Sequence, residues 1–342
     1  MFRIVVDAMG GDNAPAAIVQ GAAEASLALQ AAEIILVGDA AAISLQLART
    51  RHDGARVRVH HAASDATTEP SATRADTSIE VAAELVARGD GDALVSAGSS
   101  SASMRACTRH WKRIDGIHRP ALAAVFPTEL RRGDSDDPFS LVLDVGATPE
   151  ASAADLVQFA AMGSAYAALI SRHRRPRVAL LSNGSESGTG TREVIAAHAV
   201  LRTANELNFI GNIEGIDIPR GVADVVVTAG FVGGVVLHML EGVSETVVRL
   251  ARYAHKERLA WRLGLVAISS AIDQLKTVTD WRQYGGAPLL GFAQPFVQVH
   301  SRAGARTITN ATKIAHQALV GDLCGTIARA VAKPGSGTPT AV

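Results

Sequence analysis

Four short glycine-rich segments carry most of the groups that could do chemistry. They are residues 284–291 (YGGAPLLG), 7–15 (DAMGGDNAP), 96–101 (SAGSSS) and 229–234 (AGFVGG). The last three each follow an apolar run and precede a helical pattern, where α/β folds place backbone N–H groups against anionic or polar ligands. We predict that residues 284–291 form a tight loop and that the other three segments lie beside it.

Two of these segments combine carboxylates or hydroxyls with backbone donors. Asp7 is predicted to end the first strand, so its carboxylate would lie at the carboxyl edge of a sheet. Asp12 follows it, and either Asp12 or Asn13 could simply cap the next helix. In residues 96–101, hydroxyls and N–H groups at a helix start would suit a phosphate. An ordinary serine cap is the alternative there, and the sequence alone favours it.

Other kinds of active site find no support in the sequence. Residues 184–191 (GSESGTGT) lack the lysine and the glycine spacing of a P-loop and also miss the dinucleotide-binding pattern. Neither H-E-x-x-H nor G-x-S-x-G occurs, so no zinc-peptidase helix or serine nucleophile is indicated. Cys107 and Cys324 lie far apart and supply neither a disulfide framework nor a closed zinc site. We therefore predict no metal site.

Charge and apolar patterning limit the partners and the location of the protein. Its 33 basic and 33 acidic side chains give a formal net charge of zero, which argues against a general nucleic-acid binder. The N-terminus leads directly into a strand pattern without a secretory signal, and no apolar stretch reaches membrane-spanning length. We therefore expect a cytoplasmic protein, with peripheral contact to a membrane surface left open.

Alternating strand and helix patterns predict how the segments are positioned. Runs rich in Val, Ile and Leu predict strands at 2–7, 33–37, 57–60, 93–96, 121–126, 141–145, 178–182, 208–211 and 223–227. Helix-forming composition predicts helices at 16–29, 77–87, 102–111, 153–171 and 192–204. Such alternation implies right-handed βαβ crossovers. We predict a three-layer α/β/α fold with a mainly parallel sheet, as a single domain over residues 1–332.

Three stretches interrupt the alternation. Residues 131–138 (RRGDSDDP) predict a solvent-exposed excursion, and residues 333–342 (KPGSGTPTAV) predict a disordered tail. Residues 240–280 contain no convincing strand and predict a projecting helical hairpin. This hairpin could pack on the body as an amphipathic pair, or its apolar cluster beside Arg258 and Arg262 could lie in a membrane interface. We also expect a homodimer, which would cover apolar surface left exposed by the hairpin and the glycine loops.

Several motifs together resemble one protein family over roughly residues 2–332. They are IVVDAMGGDNAP, LNFIGNIEG, DIPRGVADVVV, GFVG and YGGAPLLG, in the order and spacing of the PlsX family of phosphate acyltransferases. The resemblance implies an enzyme of bacterial phospholipid synthesis that makes acyl phosphate from inorganic phosphate and an acyl thioester of acyl carrier protein, without a cofactor. Phosphate can attack the thioester directly if donors hold it near the carbonyl. In this family the hairpin region is associated with dimer contacts and with the membrane surface.

Some polar positions depart from the family pattern. Ser99 stands where the family's SAGNTGA motif has an amide, and Thr189 and His238 stand where lysines are typical. The family's DGFVGN motif appears here as AGFVGG. Two functions therefore stay open. One is a divergent phosphate acyltransferase, and the other is a non-catalytic relative that binds acyl chains, carrier protein or another partner and regulates lipid synthesis. A short-chain phosphotransacetylase is a third interpretation, and YGGAPLLG argues against it.

The loops and the resemblance together identify two groups of candidate site residues. Those expected to contribute to catalysis are Arg74, Ser99, Ser100 and His238. Those expected to bind substrate are Asp7, Gly10, Gly11, Asp12, Gly98, Gly188, Gly190, Arg192, Gly230, Phe231, Gly233, Tyr284, Gly285 and Gly286. At Thr189 we predict a weakened phosphate site, for which the long side chain of Arg192 could compensate.

Overall fold

The chain folds into alternating strands and helices, seen in a computed structural model that describes residues 1–62, 77–129, 139–172, 174–257 and 285–332. The strands are β1 (Phe2–Asp7), β2 (Ala32–Gly38), β3 (Val57–His61), β4 (Ala93–Ser96), β5 (Ala121–Pro127), β6 (Phe139–Leu143), β7 (Arg177–Leu181), β8 (Asn208–Ile213), β9 (Val225–Val227), β10 (Ala287–Leu290) and β11 (Phe296–Gln298). The helices are α1 (Ala16–Ala28), α2 (Ala40–Leu47), α3 (Ser78–Ala87), α4 (Ser100–His110), α5 (Ala153–Ile170), α6 (Arg192–Leu201), α7 (Asp217–Arg220), α8 (Gly230–Glu257), α9 (Ala305–Val320) and α10 (Leu323–Val331).

The described strands join one sheet in the order β3-β2-β1-β4-β11-β10-β5-β6-β9-β7-β8. Neighbours from β3 to β11 are parallel, and so are those from β6 to β8. The pairs β11–β10, β10–β5 and β5–β6 are antiparallel. Because these three reversals lie between the two parallel groups, the groups run in opposite directions. The carboxyl ends of β1, β4 and β11 lie at one end of the strands, which we call the first edge. The carboxyl ends of β6, β9 and β7 lie at the opposite end of the strands, which we call the second edge.

Helices cover both faces of the sheet, which confirms the predicted three-layer α/β/α class. One face carries α1, α2, α5, α6, α9 and α10, and the other carries α3, α4, α7 and α8. Strand β1 shows the alternation: Ile4 and Val6 pack in the cluster of α1 and α9, whereas Val5 packs in the cluster of α3 and α4. Strands buried on both sides explain the nearly continuous apolar runs of the sequence.

The segment 284–291 differs from the tight loop that its glycines and proline predicted. Ala287–Leu290 forms β10, which lies in the middle of the sheet between β11 and β5. Gly285 and Gly286 precede the strand with φ of 87° and 106°, which favours glycine. The loop prediction is therefore wrong for Ala287–Leu290. Turn-forming residues flank a short apolar run, and that run pairs on both sides even though Pro288 lies within it.

Helix α8 begins at Gly230, so residues 229–234 are not the loop that the sequence predicted. Gly233 lies in the first turn of this helix. A Cβ atom there would overlap the carbonyl oxygen of Asp144, at the end of the neighbouring strand β6. The glycines of this motif therefore allow close packing of helix on sheet, a role that sequence alone does not distinguish from a turn.

Several predicted features lie partly or wholly outside the described residues. Helix α8 accounts for the start of the predicted hairpin at residues 240–280, and it is described as far as Glu257. Residues 258–280, 131–138 and 333–342 are not among the described ones. The second arm of the hairpin, the exposed excursion and the disordered tail therefore stay predictions.

Among the described helices, α5 is long and apolar enough to cross a membrane, so the expectation that no apolar stretch reaches that length is wrong for this helix. However, 67% of that stretch is buried inside the fold. Phe159, Met162 and Tyr166 are among the largest fully buried side chains of the protein. Helix α5 is therefore a core helix, which packs against α6 and α10.

Candidate functional site

At the first edge, the carboxylate of Asp7 anchors a buried polar cluster. The hydroxyls of Ser78 and Ser96 donate to its two oxygens, each at 2.6 Å. The backbone N–H of Met9 donates to Asp7 Oδ1 at 3.2 Å. Burial raises the pKa of Asp7 above its ordinary value, against the lowering effect of these hydrogen bonds. We call Asp7, Ser78, Ser96 and the nearby Gln298 the first cluster.

Gln298, at the end of β11, holds the loop that follows β4. Its Nε2 donates to the carbonyl oxygens of Ser96 at 3.3 Å and Gly98 at 2.7 Å. Its Oε1 is buried, and no described residue donates a hydrogen bond to it. The N–H of Gly98 donates to Ser96 Oγ at 3.0 Å. Gly10 lies so close that a Cβ there would be 2.6 Å from the nitrogen of Gly98.

Asp12 and Asn13 bind the segment after β11 and do not cap helix α1. The N–H of Asp12 donates to the carbonyl oxygen of Ser301 at 2.8 Å, and the Ser301 hydroxyl donates to Asp12 Oδ2 at 3.2 Å. The side-chain amide of Asn13 donates to the carbonyl oxygens of Arg302 and Ala303. Since no side chain caps α1, the capping interpretation is wrong for this segment.

Ser99 and Ser100 lie exposed at the N-terminus of α4. Ser99 is the N-cap residue, but its hydroxyl lies 2.9 Å from Ser101 Oγ and accepts no hydrogen bond from the helix backbone. The predicted serine cap is therefore absent. Exposed hydroxyls and the uncapped N–H groups of a helix N-terminus are together suited to an anion.

The glycines that precede β10 lie next to the first cluster. A Cβ on Gly286 would be 2.5 Å from the carbonyl oxygen of Gln298. Gly11 has a φ of 97° and lies against the carbonyl oxygens of Ala97 and Ser301. Three of the four glycine-rich segments are therefore neighbours at the first edge.

At the second edge, the carboxylate of Asp144 anchors a different cluster. It is fully buried and accepts hydrogen bonds of 2.5–3.0 Å from backbone N–H groups. The donors are Leu122, Gly146, Ala147 and Thr148. Burial raises the pKa of Asp144, although these hydrogen bonds lower it. The N–H of Gly230 donates to the carbonyl oxygen of Thr148 at 2.9 Å, so the start of α8 joins Asp144 and Thr148 in what we call the second cluster.

The loop after β7, also at the second edge, is braced by its own groups. The hydroxyl of Thr189 lies 2.7 Å from the carbonyl oxygens of Gly184 and Glu186. The amide of Asn212 donates to the carbonyl oxygen of Glu186 at 2.9 Å. Asn212 Oδ1 lies 2.9 Å from Nδ1 of the buried His198. Thr189 therefore holds the loop together, and its hydroxyl is directed toward the protein.

The remaining candidates of this loop are Gly188, Gly190 and Arg192. Gly188 faces open space, whereas Gly190 has a φ of 107° and packs against Ser182. Arg192 is the first residue of α6 and has an exposed side chain. The loop thus lies at the end of a strand, at the second edge and not at the first, where the first cluster lies.

His238 and Phe231 lie on the outer side of α8. The side chain of His238 is 77% exposed, and its Nδ1 lies 3.1 Å from a carboxylate oxygen of Glu241. Phe231 is 70% exposed. Arg74 and Tyr284 lie outside the described residues.

The structure thus divides the candidate residues between two edges of the sheet. Asp7, Gly10, Gly11, Asp12, Gly98, Ser99, Ser100, Gly285 and Gly286 lie at the first edge, and Gly188, Gly190, Arg192, Gly230, Phe231 and Gly233 belong to elements that start at the second. Gln298, Asp144 and Thr148 were not predicted from the sequence as site residues. Asp144 ends an apolar run, which is the signal that identified Asp7, whereas nothing in the sequence marks Gln298.

Comparison with known proteins gives a consistent result over almost the whole chain. A family described as "Fatty acid synthesis protein" matches residues 2–325. The phosphate acyltransferase of Geobacter sulfurreducens is 40% identical over 321 residues, covering 92% of this chain and 90% of the relative. That of Heliobacterium modesticaldum is 42% identical over 323 residues, covering 92% and 93%. That of Myxococcus xanthus is 39% identical and covers 99% and 96%.

Solved structures show a similar fold. A phosphotransacetylase from Streptococcus pyogenes superimposes with a TM-score of 0.59 at 18% identity, covering 97% of this chain and 94% of that one. The EutD phosphotransacetylase from Staphylococcus aureus gives a TM-score of 0.57 at 18% identity, covering 96% and 94%. At such low identity these structures are similar in fold alone.

Proposed function

The chain belongs to the family of fatty acid synthesis proteins, and on that premise we propose that it is a phosphate acyltransferase. It transfers the acyl group of an acyl carrier protein thioester to inorganic phosphate, giving acyl phosphate and free carrier protein for phospholipid synthesis. The observation that carries the proposal is the 40% identity to a relative of that name over 90% of the relative's own length.

The reaction depends on positioning and on charge stabilisation. A phosphate oxygen attacks the carbonyl carbon of the thioester, and the carbonyl oxygen takes up negative charge in the tetrahedral intermediate. The carbon–sulfur bond then breaks, and the leaving thiolate takes up the proton that the attacking hydrogen phosphate gives up, which yields the free thiol of the carrier. Donors that hold an anion close to the thioester are sufficient for this chemistry, so a protein nucleophile is not required.

We place the phosphate at the first edge, at the N-terminus of α4. The exposed hydroxyls of Ser99 and Ser100 and the uncapped backbone of that helix supply the donors. Asp7 is fully engaged by Ser78 and Ser96, so it serves to fix the loop before α4. At the second edge, by contrast, most of the polar groups described above bind to the protein itself.

The alternative of a non-catalytic relative rests on the polar positions that depart from the family pattern, which are Ser99, Thr189, His238 and the AGFVGG segment. The internal hydrogen bonds of Thr189 agree with a loop that does not hold phosphate. However, the names of the relatives favour an enzyme. A phosphate site at α4 explains how activity is retained without that lysine.

We also propose that α8 is a contact surface, either for a second copy of the chain or for a membrane. Its inner residues Val236, Leu237 and Leu240 pack on the core, while its outer face keeps large apolar side chains exposed. These outer residues are Phe231, Val232, Val235, Met239, Val243 and Leu250. A cytoplasmic homodimer with peripheral membrane contact would cover such a surface.

One assay tests the proposed activity. Purified protein is given palmitoyl-carrier protein and phosphate, and free carrier thiol is measured with a thiol reagent. We expect thiol release that depends on both phosphate and protein. If release at high enzyme concentration does not exceed that of a control without protein, the non-catalytic function is supported.

A further inference from the structure

A basic surface follows the N-terminal half of α4. Between residues 105 and 119 the chain exposes five basic side chains and one carboxylate, that of Asp115. The basic residues are Arg105, Arg109, Lys112, Arg113 and Arg119. Because the whole chain has a formal net charge of zero, this concentration of positive charge is local. We call these five residues the basic surface.

Part of this charge has a structural explanation. Arg109 Nη1 donates to Glu80 Oε1 at 2.7 Å, and His110 Nε2 lies 2.9 Å from Glu80 Oε2. Both residues also lie in the last turn of α4, where the positive charge of Arg109 complements the helix dipole. Arg113 donates to the carbonyl oxygen of His118. These contacts stabilise the fold without any ligand.

Three cations remain without such an explanation. The side chains of Arg105, Lys112 and Arg119 are exposed and make no hydrogen bond or ion pair with the described residues. Arg105 lies in α4, which begins at the first edge, whereas Arg119 precedes β5, which begins at the second edge. Cations spread along the protein in this way fit a partner with an extended acidic surface.

The position of the basic surface relates it to the proposed phosphate site. Ser101, Arg105 and Thr108 are exposed on α4 at spacings of four and three residues, which places them on one helix face. About 6 Å of helix separates Ser101 from Arg105. A partner that lies along this face would therefore have one end next to the phosphate site.

The burial of the large apolar side chains in residues 105–119 argues for a protein partner and against a membrane. Trp111, Ile114 and Ile117 lie within the same segment, and all three are buried. An interfacial segment needs apolar side chains that can enter the lipid, and none is available here.

From these observations we infer that the basic surface docks an acidic face of the carrier protein that presents the acyl thioester. The inference rests on the proposed function, because the carrier is the substrate of that reaction. Docking along α4 directs the thioester toward Ser99 and Ser100 at its N-terminus.

Charge reversal tests the inference. The triple variant Arg105→Glu, Lys112→Glu, Arg119→Glu is compared with a matched control, Arg49→Glu, Arg51→Glu, Arg202→Glu. The control residues are also exposed arginines and change the net charge by the same amount. In the triple variant we expect the KM for acyl-carrier protein to rise by about tenfold or more, with kcat little changed, since rim charges mainly affect encounter and docking. The control should stay within about twofold of the wild type.

Two further measurements separate the possible causes. An acyl N-acetylcysteamine thioester has no carrier, so the triple variant should convert it at the wild-type rate. Binding of a fluorescently labelled carrier protein, followed by anisotropy at several salt concentrations, does not require turnover. It therefore tests docking even if the proposed reaction fails.

Three results would overturn the inference. The triple variant could bind the carrier as tightly as the wild type does, or the control variant could lose the same affinity. The triple variant could also lose binding to phosphatidylglycerol vesicles while it keeps its affinity for the carrier, which would assign the surface to a membrane.

Discussion

The first and second clusters both centre on a buried aspartate at the end of a strand, but they are built from different groups. Asp7 accepts mainly from side-chain hydroxyls, those of Ser78 and Ser96. Asp144 accepts from four backbone N–H groups. A hydroxyl can rotate and can also accept, whereas an N–H group can only donate. We therefore expect the first cluster to tolerate an amide at its centre, while the second requires a group that only accepts hydrogen bonds.

The largest expected effect on stability comes from a change in the shape of the second cluster. Gly233→Ala would drive a Cβ atom into the carbonyl oxygen of Asp144, and α8 would have to move away from the sheet. We expect a loss of about 2–4 kcal/mol in the free energy of unfolding, measured by urea denaturation. Gly242→Ala is the control in the same helix. It has open space around it and should be neutral or stabilising by up to about 1 kcal/mol. Equal stability of the two variants would contradict the close packing at Gly233.

The next effect concerns the two carboxylates directly. Asp144→Asn would place an amide NH₂ among backbone N–H donors and leave buried donors unpaired, at a cost of about 1–3 kcal/mol. In Asp7→Asn, rotation of the Ser78 and Ser96 hydroxyls can restore the hydrogen bonds, so we expect a smaller loss in the free energy of unfolding. Urea denaturation of both variants at pH 7 measures the difference. A larger loss in Asp7→Asn would show that the clusters do not differ in this way.

A pH dependence should sharpen the comparison. Burial raises the pKa of Asp7 above its ordinary value of 3.8, so the folded protein binds its proton more tightly than the unfolded chain does. The free energy of unfolding therefore falls as pH rises from about 3.8 through the folded-state pKa. Asp7→Asn removes this contribution, so its stability relative to the wild type should improve as pH rises through that window. Unfolding curves at a series of pH values test this, and a constant difference would refute it.

The smallest expected effect is in the loop after β7. If phosphate binds at α4, Thr189→Lys should change acyl phosphate formation by no more than a few-fold, and Arg192→Ala should leave the activity measurable. Initial rates at varied phosphate concentration measure both. A large gain in Thr189→Lys would move the phosphate site to this loop, and complete loss in Arg192→Ala would show that arginine has replaced the family's lysine.

The sequence predicted strands β1 to β9, because strands buried on both faces need continuous apolar runs, and it predicted helices α1, α3, α4, α5 and α6. It did not predict α2, α7, α9, α10 or β11. It failed at β10, where Pro288 and the preceding glycines are typical of a turn, and at Gly230–Gly233, where glycine allows helix packing. The reversal of strand direction in mid-sheet depends on long-range pairing that no local pattern encodes. Asp7 and Ser99 were identified because they follow predicted strands. Gln298 was not identified, because it ends β11, which the sequence did not predict.

The central place of β10 and β11 has a consequence for the order in which the chain becomes protected. Both strands come from the last sixth of the sequence, yet they lie between β4 and β5 in the sheet. Until they are synthesised, β4 and β5 each have one side without a hydrogen-bonded neighbour, to which strands of other chains could add. A nascent or C-terminally truncated chain would therefore consist of two half-sheets prone to aggregation. The two half-sheets can join into one sheet only after almost the entire polypeptide has left the ribosome.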